Sequence, residues 1–333
     1  MNSDNSHHQA PSLRSRTVKF LWDLGWTASI VGIWPRFIEP ELLSVTSLPL
    51  AIKDLPQPLE GLKIAQFSDL HLHPGVSDRF LNKLWNKISS WKPDLIVFTG
   101  DYLCYSKMTD EKRLKTFLQR FQAPLGCYAI FGNHDYQSYV AVNREGDYDI
   151  IEKVPSEIWK GLQRLFRRQV VKGKMSPRLT SRLVPSRDLV RLLRDTPFQP
   201  IENETVLLKI GDSALNLCGV GEYMANRFLP AQAFQHYDNR FPGLILAHNP
   251  DCIPHLESYP GDVVLCGHVH GGQVNLPWLR NRFVILENPQ YVKGLHRVKD
   301  KWVYINRGLG GTMRFRLFSV PEVTLITLGK EKS

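Results

Sequence analysis

The chain has 333 residues, of which 43% are hydrophobic and 22% are charged, and its formal net charge is +10. With this ordinary globular composition the chain is apolar enough to form a buried core. Its length allows one large domain or two small ones. The positive charge is concentrated, because residues 150–195 contain twelve lysines and arginines but only four acidic residues. Such a basic patch points to an anionic partner, which is a membrane surface, a nucleic acid or a phosphorylated substrate.

Two segments precede the first predicted strand. Residues 1–16 are polar and predict a disordered tail, and residues 17–38 form an apolar segment that we expect to associate with a membrane. Its apolar run, Val18–Trp34, is shorter than the roughly 20 residues that a spanning helix needs, and it contains Lys19 and Asp23. Four aromatic side chains in the run suit the headgroup layer. An interfacial anchor is therefore favoured over a true span or a helix packed on the domain.

Strands and helices alternate in the first half of the chain. An apolar strand is predicted at Leu62–Phe67, and Ser77 can cap a helix whose apolar residues recur at helical spacing. A fully apolar strand follows at Leu95–Phe98, which is typical of a sheet covered on both faces. A second helix begins at Thr109 and a third strand spans Cys127–Phe131. This βαβαβ order predicts an α/β fold with parallel strands.

The second half of the chain is rich in predicted strands. The basic stretch lies between the third strand and this half, so it interrupts the order of elements and is predicted to be an insertion. The later strands are predicted at Val206–Ile210, Ala214–Val220, Leu244–Ala247, Val263–Cys266, Trp302–Asn306 and Val323–Leu328.

Polar residues that can bind metal follow the predicted strands. Because the carboxyl ends of parallel strands meet at one edge of a sheet, we expect these side chains to converge. In an extended segment, residues i and i+2 face the same side, so Asp-x-His and His-x-His can each reach one metal cluster. Carboxylates, an amide and imidazoles together are a ligand set for two metal ions. The candidate residues are Asp69, His71, Asp101, Asn133, His134, Asp135, His248, His268 and His270.

Each of these motifs alone is weak evidence. A single Asp-x-His is usually a capped turn, and a single Gly-Asn-His-Asp is usually a polar loop. All five segments occur in order, however, and each follows an apolar strand. The sequence therefore predicts a two-metal centre that hydrolyses a phosphate ester.

The same series of motifs resembles the calcineurin-like metallophosphoesterases over roughly residues 61–274, apart from the insertion. The resemblance implies a four-layer α/β/β/α sandwich over residues 39–333, with residues 137–198 inserted as a basic helical lid. Gly271-Gly272-Gln273 and Ile38-Glu39-Pro40 are similar to a bacterial membrane-associated branch. Within that branch, the insertion most resembles the chlamydial type of UDP-2,3-diacylglucosamine diphosphatase, which acts in lipid A synthesis.

The resemblance also implies roles for the candidate residues. It assigns Asp101 as the ligand that bridges two metals, His134 as the general acid or the clamp on a phosphoryl oxygen, and Asp135 as the residue that orients His134 or caps the next helix. Mixed oxygen and imidazole ligands suit Mn²⁺, with Fe, Zn²⁺ or Mg²⁺ as alternatives. One metal would be bound by Asp69, His71 and His270, and the other by Asn133, His248 and His268.

The insertion carries its charge on predicted helices. A helix around Trp159 places an apolar stripe beside basic residues that include Arg164, Arg167 and Arg168, and residues 187–194 repeat this pattern. One interpretation is a lid that lies in the headgroup layer and binds a lipid. The alternative is a solvated helix whose stripe packs on the domain. Nucleic acid is the least favoured partner, because aromatic residues are few and no recognised binding module is present.

These features together predict an enzyme of the cytoplasmic face of the bacterial inner membrane, either peripheral or anchored at its N-terminus. The substrate that the resemblance implies is a lipid-linked nucleotide, UDP-2,3-diacylglucosamine, cleaved to UMP and 2,3-diacylglucosamine 1-phosphate. The alternatives are a phosphodiesterase or phosphatase that acts on another nucleotide, lipid or protein, and a metal-free scaffold. A complete ligand set disfavours the scaffold, because a binding module has no use for it.

Overall fold

The computed structural model describes residues 13–331, except residues 155, 157–158, 160–162, 165, 167–169 and 180–182. Within this part the strands are β1 (Ser44–Ile52), β2 (Lys63–Phe67), β3 (Leu95–Phe98), β4 (Cys127–Ala129), β5 (Val140–Val142), β6 (Tyr148–Ile150), β7 (Phe198–Pro200), β8 (Glu204–Ile210), β9 (Ser213–Gly219), β10 (Gly243–Leu246), β11 (Val263–Cys266), β12 (Gly294–Val298), β13 (Lys301–Ile305) and β14 (Glu322–Lys330). The α-helices are α1 (Leu13–Ala28), α2 (Asp78–Trp91), α3 (Glu111–Leu118), α4 (Arg187–Arg194), α5 (Pro230–Ala233), α6 (Ile253–Leu256) and α7 (Arg280–Phe283).

Twelve of these strands form two six-stranded sheets. The first sheet has the order β1-β14-β2-β3-β4-β7, and the second has the order β12-β13-β11-β10-β9-β8. In the first sheet β2, β3, β4 and β7 are parallel to one another, as the βαβαβ pattern predicts, whereas β14 is antiparallel to β2. In the second sheet β9, β10, β11 and β13 are parallel, and the edge strands β8 and β12 are antiparallel. Parallel strands deliver several chain segments to one edge, which is where the candidate residues lie.

The helix after β2 shows why the chain folds as the sequence predicts. Ser77 caps α2, because its Oγ accepts a hydrogen bond from the backbone N–H of Phe80. The buried side chains of this helix, which include Leu84 and Ile88, face the first sheet. Helix α2 ends where Lys92 adopts the left-handed conformation, and the chain then enters β3.

Three buried clusters define the layers. One cluster lies between the sheets, where Ile64 and Val97 of the first sheet meet Leu217 and Leu246 of the second. Another covers the outer face of the first sheet with α2, α3 and α4. The remaining cluster covers the outer face of the second sheet, with Ile253 of α6 among its members. The predicted four-layer α/β/β/α sandwich is therefore confirmed.

Residues 137–198 are not wholly helical. They contain an antiparallel ribbon of β5 and β6, whose three-residue strands are too short to give a periodic signal in the sequence. Helix α4 packs on the first sheet and buries Leu189, Leu192 and Leu193 in its outer cluster. This part of the insertion thus follows the alternative interpretation, a helix packed on the domain.

The predicted helix around Trp159 lies largely outside the described residues. Arg167 and Arg168 belong to the part that is not described. Of the described residues, Trp159 is exposed and Phe166 is 85% exposed. The structure therefore does not place the predicted lid as a whole.

The N-terminal segment is a helix that extends away from the core. Helix α1 continues into a π-helix, Ser29–Ile38, and its aromatic side chains Phe20, Trp22 and Trp26 are all more than half exposed. Among the residues that the structure describes, no helix combines the length and the apolar character that crossing a bilayer requires.

Candidate metal centre

The predicted ligands all reach one place, the common carboxyl edge of the two sheets. Each follows a strand: two residues come after β2, one after β3, one after β4, one after β10 and two after β11. In the order of the chain they are Asp69, His71, Asp101, Asn133, His248, His268 and His270. The side chains of five of them are buried, namely Asp69, His71, Asp101, Asn133 and His248.

The first group of ligands surrounds Asp69. Its Oδ1 lies 4.0 Å from Nε2 of His71 and 3.9 Å from Nε2 of His270. The rings of the two histidines are 5.0 Å apart, centroid to centroid. These three residues form a cluster with the spacing of a single metal site.

The second group surrounds His248 and His268. Nδ1 of His268 lies 3.1 Å from Oδ1 of Asn133 and 3.3 Å from Nε2 of His248. Oδ2 of Asp101 joins the two groups, because it lies 3.2 Å from Nε2 of His248 and 3.3 Å from Nε2 of His71. One carboxylate oxygen thus faces ligands of both groups, which is the position of a bridging ligand.

Backbone carbonyls orient two of the imidazoles. Nδ1 of His71 lies 3.0 Å from the carbonyl oxygen of Leu103, and Nδ1 of His248 lies 2.7 Å from that of Thr99. Nδ1 must donate in both contacts, so Nε2 of each neutral ring presents its lone pair to the centre. Nε2 of His71 is buried and has no hydrogen-bond partner. A buried acceptor that has no partner costs free energy. A divalent cation bound to Nε2 of His71, next to the two carboxylates, would remove that cost.

The electrostatics of the centre also favour a cation. Burial opposes the ionisation of Asp101, but the imidazoles of His248, His134 and His71 outweigh it and hold the pKa of Asp101 well below its usual range. Burial lowers the pKa of His71 to about 4 and that of His268 to about 3, so both rings are neutral ligands at pH 7. For His248, the negative charge of Asp101 overcomes burial and raises the pKa well above its usual value. The field of Asp101 therefore attracts a positive charge, which a metal ion would supply in place of that proton.

Backbone strain is concentrated in the ligands. Five of the seven have a positive φ, namely Asp69 (54°), His71 (44°), Asp101 (64°), His268 (71°) and His270 (52°). Asp and His tolerate this region better than most residues, but each such residue still costs about 1–3 kcal/mol. Gly132 is required nearby, because a Cβ there would lie 2.3 Å from Oδ1 of Asp101. The sequence shows these residue types but not their conformation.

His134 lies beside the first group, with its ring centroid 4.6 Å from that of His71. Its Nδ1 accepts a hydrogen bond of 2.8 Å from the backbone N–H of Tyr105. The proton of the neutral ring must therefore be on Nε2, which makes this atom a donor and not a metal ligand. Burial holds the pKa of His134 well below its usual value, so the ring is neutral.

Asp135 is fully buried and holds the surrounding loops. Its Oδ2 accepts hydrogen bonds from the backbone N–H groups of Asp101 and Gly132, and its Oδ1 accepts one from Leu103. The hydrogen bond that orients the His134 ring comes from Tyr105. Burial and the charge of Asp101 raise the pKa of Asp135 to about 8. Asp135 thus fixes the segments that carry Asp101 and His134.

Residues 62–272 match the model of the calcineurin-like phosphoesterase family. The chain belongs to the calcineurin-like phosphoesterases. It is therefore a metal-dependent hydrolase, and the resemblance in its motifs is confirmed.

Relatives of this phosphoesterase include two proteins named UDP-2,3-diacylglucosamine pyrophosphatase LpxG. The one from Chlamydia trachomatis serovar D is 41% identical over 89% of this chain and 92% of its own length. The one from Chlamydia muridarum is 39% identical, with the same coverage of 89% and 92%. Phosphodiesterase YaeI of Escherichia coli K12 is 27% identical over 80% of this chain and 82% of its own length.

Two parts of the phosphoesterase centre were not predicted from the sequence. Near His270, Nη2 of Arg316 lies 3.5 Å from Nδ1, and Oγ of Ser319 donates a hydrogen bond of 2.6 Å to the backbone carbonyl. Near His134, the ring of Tyr139 lies 4.5 Å away and that of Tyr105 lies 5.6 Å away, centroid to centroid. No sequence motif marks these residues, because each is recruited by tertiary contacts.

Arg164 is the predicted lid residue whose charge acts on a residue at the edge of the metal centre. Burial raises the pKa of Tyr139, and the positive charge of Arg164 acts in the opposite direction. Because Tyr139 contacts His134, the basic insertion influences the edge of the phosphoesterase site. Trp159 is exposed, and Arg167 and Arg168 lie outside the described residues.

Proposed function

We propose that this phosphoesterase hydrolyses the diphosphate of UDP-2,3-diacylglucosamine, which gives UMP and 2,3-diacylglucosamine 1-phosphate in lipid A synthesis. What carries the proposal is the identity of 41% over 89% of the chain to a protein named for this activity. The complete ligand set at the common sheet edge supports it, because every group that the chemistry needs is present. An exposed apolar N-terminal helix also suits a substrate that resides in a bilayer.

We further propose that Asp69, His71 and His270 hold one metal ion and that Asn133, His248 and His268 hold the other, with Asp101 between them. Two divalent ions in these positions would supply Lewis acidity and activate water for attack on phosphorus. The mixed oxygen and nitrogen donors suit Mn²⁺, for which Fe, Zn²⁺ or Mg²⁺ could substitute.

The side chains of the protein then act on the phosphoryl group. Nε2–H of His134 donates a hydrogen bond to a phosphoryl oxygen and stabilises the negative charge that develops there, so the neutral ring favours the clamp over the general acid. Tyr105 keeps the proton on Nε2 throughout, because its backbone N–H occupies Nδ1. Asp135 fixes the backbone on either side, so the donor and the ligands keep their relative positions.

The place of action that we propose is the cytoplasmic face of the bacterial inner membrane. Residues 17–38 would lie in the headgroup layer, and the basic insertion with Trp159, Arg164, Arg167 and Arg168 would contact anionic lipid or the substrate. The exposure of Trp159 and Phe166 is consistent with such contact. The partners of the enzyme are thus a membrane surface and a lipid-linked nucleotide, and not a nucleic acid.

Purified full-length protein with Mn²⁺ and detergent tests the proposal. UDP-2,3-diacylglucosamine, bis-p-nitrophenyl phosphate and p-nitrophenyl phosphate are compared side by side, with UMP release measured for the first. We expect kcat/KM for the lipid nucleotide to exceed that for either small ester by about 10²-fold or more. The reason is that only the full substrate makes binding contacts away from the reacting phosphate. An Asp101→Asn variant serves as the control for contaminating activity.

A general phosphodiesterase is the second candidate, and the similarity to phosphodiesterase YaeI favours it. Its signature in the same assay is efficient cleavage of bis-p-nitrophenyl phosphate with no UMP release from the lipid nucleotide. That outcome would reject the diphosphatase proposal and retain the phosphoesterase centre.

A further inference from the structure

Three exposed aromatic side chains lie on segments that hydrogen bonds connect with the loop of His270. Phe37 is exposed at the end of the π-helix, Phe318 is 56% exposed in the loop before β14, and Trp278 is 74% exposed in the loop before α7. Soluble surfaces rarely present several large apolar side chains together without a partner. We call these three residues the aromatic rim.

The loop of Phe318 is held in a conformation that bulky residues rarely adopt. Its φ is +57°. The carboxylate of Glu39 maintains it, because Oε2 accepts from the backbone N–H of Phe318 at 3.0 Å and Oε1 accepts from that of Ser319 at 2.5 Å. Trp34 Nε1–H donates to the same carboxylate at 2.9 Å. The buried carboxylate of Glu39 thus links the N-terminal segment to the loop and keeps the Phe318 ring exposed.

The same loop is fixed to the metal centre. Ser319 Oγ donates to the backbone carbonyl of His270, and Arg316 is buried beside the His270 ring. The backbone N–H of Arg316 donates to the carbonyl of Pro35 at 2.8 Å. The end of the N-terminal helix, the Phe318 loop and His270 therefore form one connected unit.

Trp278 joins this unit from the other side of the loop. The backbone N–H of Asn275 donates to the carbonyl of Leu317 at 2.9 Å, and Nδ2 of Asn275 donates to the carbonyl of Phe318 at 3.1 Å. The Trp278 turn is consequently anchored to the loop that carries Phe318. All three rim residues lie on segments bonded to one another.

The charge around the aromatic rim indicates which kind of surface the rim contacts. Arg36 is exposed next to Phe37, Arg282 is exposed four residues after Trp278, and residues 274–283 and 311–320 contain no acidic residue. Aromatic rings flanked by basic side chains match the interface of an anionic bilayer, where rings lie at headgroup depth and cations meet lipid phosphates. Phe37 also lies on the π-helix that continues α1, which carries further exposed aromatic residues. These features favour a lipid surface over a protein partner.

We infer that the aromatic rim docks on the lipid bilayer and places the His270 side of the metal centre at the membrane surface. The inference rests on the proposed function at the membrane surface, and it specifies which face of the molecule contacts the membrane. Docked in this way, the enzyme can receive a diphosphate from the headgroup layer while the acyl chains of the substrate remain in the bilayer.

Site-specific fluorescence on the full-length protein tests the inference. All five native thiols are buried, so an introduced cysteine can be labelled selectively with a polarity-sensitive fluorophore. The variants are Phe318→Cys and Trp278→Cys at the rim and Phe20→Cys on α1. Leu207→Cys is the matched control, because Leu207 is exposed on the edge strand β8, where it pairs with Asn216 at the amino end of the sheet.

Vesicles of phosphatidylethanolamine with phosphatidylglycerol are then added. We expect a blue shift and a severalfold rise in emission at positions 318, 278 and 20, and no change at position 207. The unlabelled double variant Phe318→Ala with Trp278→Ala should bind these vesicles about tenfold more weakly, because two aromatic contacts are lost. Unchanged manganese content in that variant shows that it is folded.

The negative outcomes distinguish the two proposals. A response at position 20 without one at 318 and 278 would overturn the rim and leave attachment through α1 intact. A lack of response at all three positions would reject the rim together with the membrane-surface function. A response of equal size at position 207 would mean nonspecific adsorption and would also overturn the inference.

Discussion

At the scale of single residues, Asp101 is the ligand that the centre depends on most. One of its oxygens faces both histidine groups, and its other oxygen accepts a hydrogen bond from the backbone N–H of His134. The negative charge of Asp101 also influences the pKa of His71, His134 and His248. Loss of this carboxylate should therefore disturb both metal positions.

We expect Asp101→Ala to lower the metal content from about two ions to less than one and to abolish turnover, because a bridging carboxylate serves both ions. Metal analysis of the purified variant measures this directly. Asp212→Ala is the control, since Asp212 is exposed in the turn between β8 and β9. Two ions still bound to the Asp101 variant would contradict the bridging assignment.

His134 should behave differently from the ligands. His134→Ala is expected to lower kcat by about 10²–10⁴-fold and to leave the metal content near normal, as for a proton donor that does not bind metal. The exposed His236 provides a control variant, His236→Ala. If His134→Ala lost metal in proportion to activity, His134 would be a ligand and the tautomer argument would be wrong.

At the scale of secondary-structure elements, continuous apolar segments were predictable and segments of mixed polarity were not. Leu95–Phe98 and Val263–Cys266 are continuous apolar runs, and both are strands with the predicted bounds. The burial of the edge strand β1 alternates regularly, but the strand was missed because its exposed positions include the apolar residues Val45, Pro49 and Ala51, which hides the alternation in the sequence. The convergence of the seven candidate ligands was predictable because each follows such a run, whereas Arg316 and Ser319 approach His270 only after the C-terminal loop folds back.

Helix α4 gives an element-scale prediction about the insertion. Leu193 is buried where α4 packs on the first sheet, so Leu193→Ala should lower the free energy of unfolding by about 2–5 kcal/mol. Val184→Ala, at a largely exposed position in the same insertion, should change it by less than about 0.5 kcal/mol. Denaturant unfolding of both variants measures the difference. Equal effects would mean that α4 contributes no packing energy and that this half of the insertion is free to act as a lid.

At the scale of the whole molecule, two separate features suit the proposed membrane contact. The exposed aromatic residues of α1 offer one means of attachment, and the net charge of +8 in residues 150–195 offers another. An amphipathic helix alone gives marginal binding, whereas a helix and a basic patch together give stable attachment. Each basic side chain near an anionic surface contributes about 1 kcal/mol, so the patch could contribute several.

The two means of attachment should respond differently to salt. Electrostatic attraction is screened over about 8 Å at physiological ionic strength, whereas burial of apolar surface is not. We therefore expect partial release of the enzyme from membranes in high salt and full release only in detergent. Neutralising Arg164, Arg167 and Arg168 to glutamine should weaken attachment and reduce its salt dependence, which sedimentation with membranes measures.

The variant with Arg164, Arg167 and Arg168 changed to glutamine also distinguishes a lipid-binding role of the insertion from a structural role. The arginines are not among the metal ligands, so turnover of bis-p-nitrophenyl phosphate should change by less than about twofold. Cleavage of UDP-2,3-diacylglucosamine should fall by about tenfold or more, because three charge contacts to the lipid surface or the diphosphate are lost. A matched variant with Lys153, Lys172 and Lys174 changed to glutamine removes the same three charges from other parts of the insertion. Equal loss on both substrates would show that these arginines support the fold or the metal centre, and the lipid-binding role of the insertion would have to be abandoned.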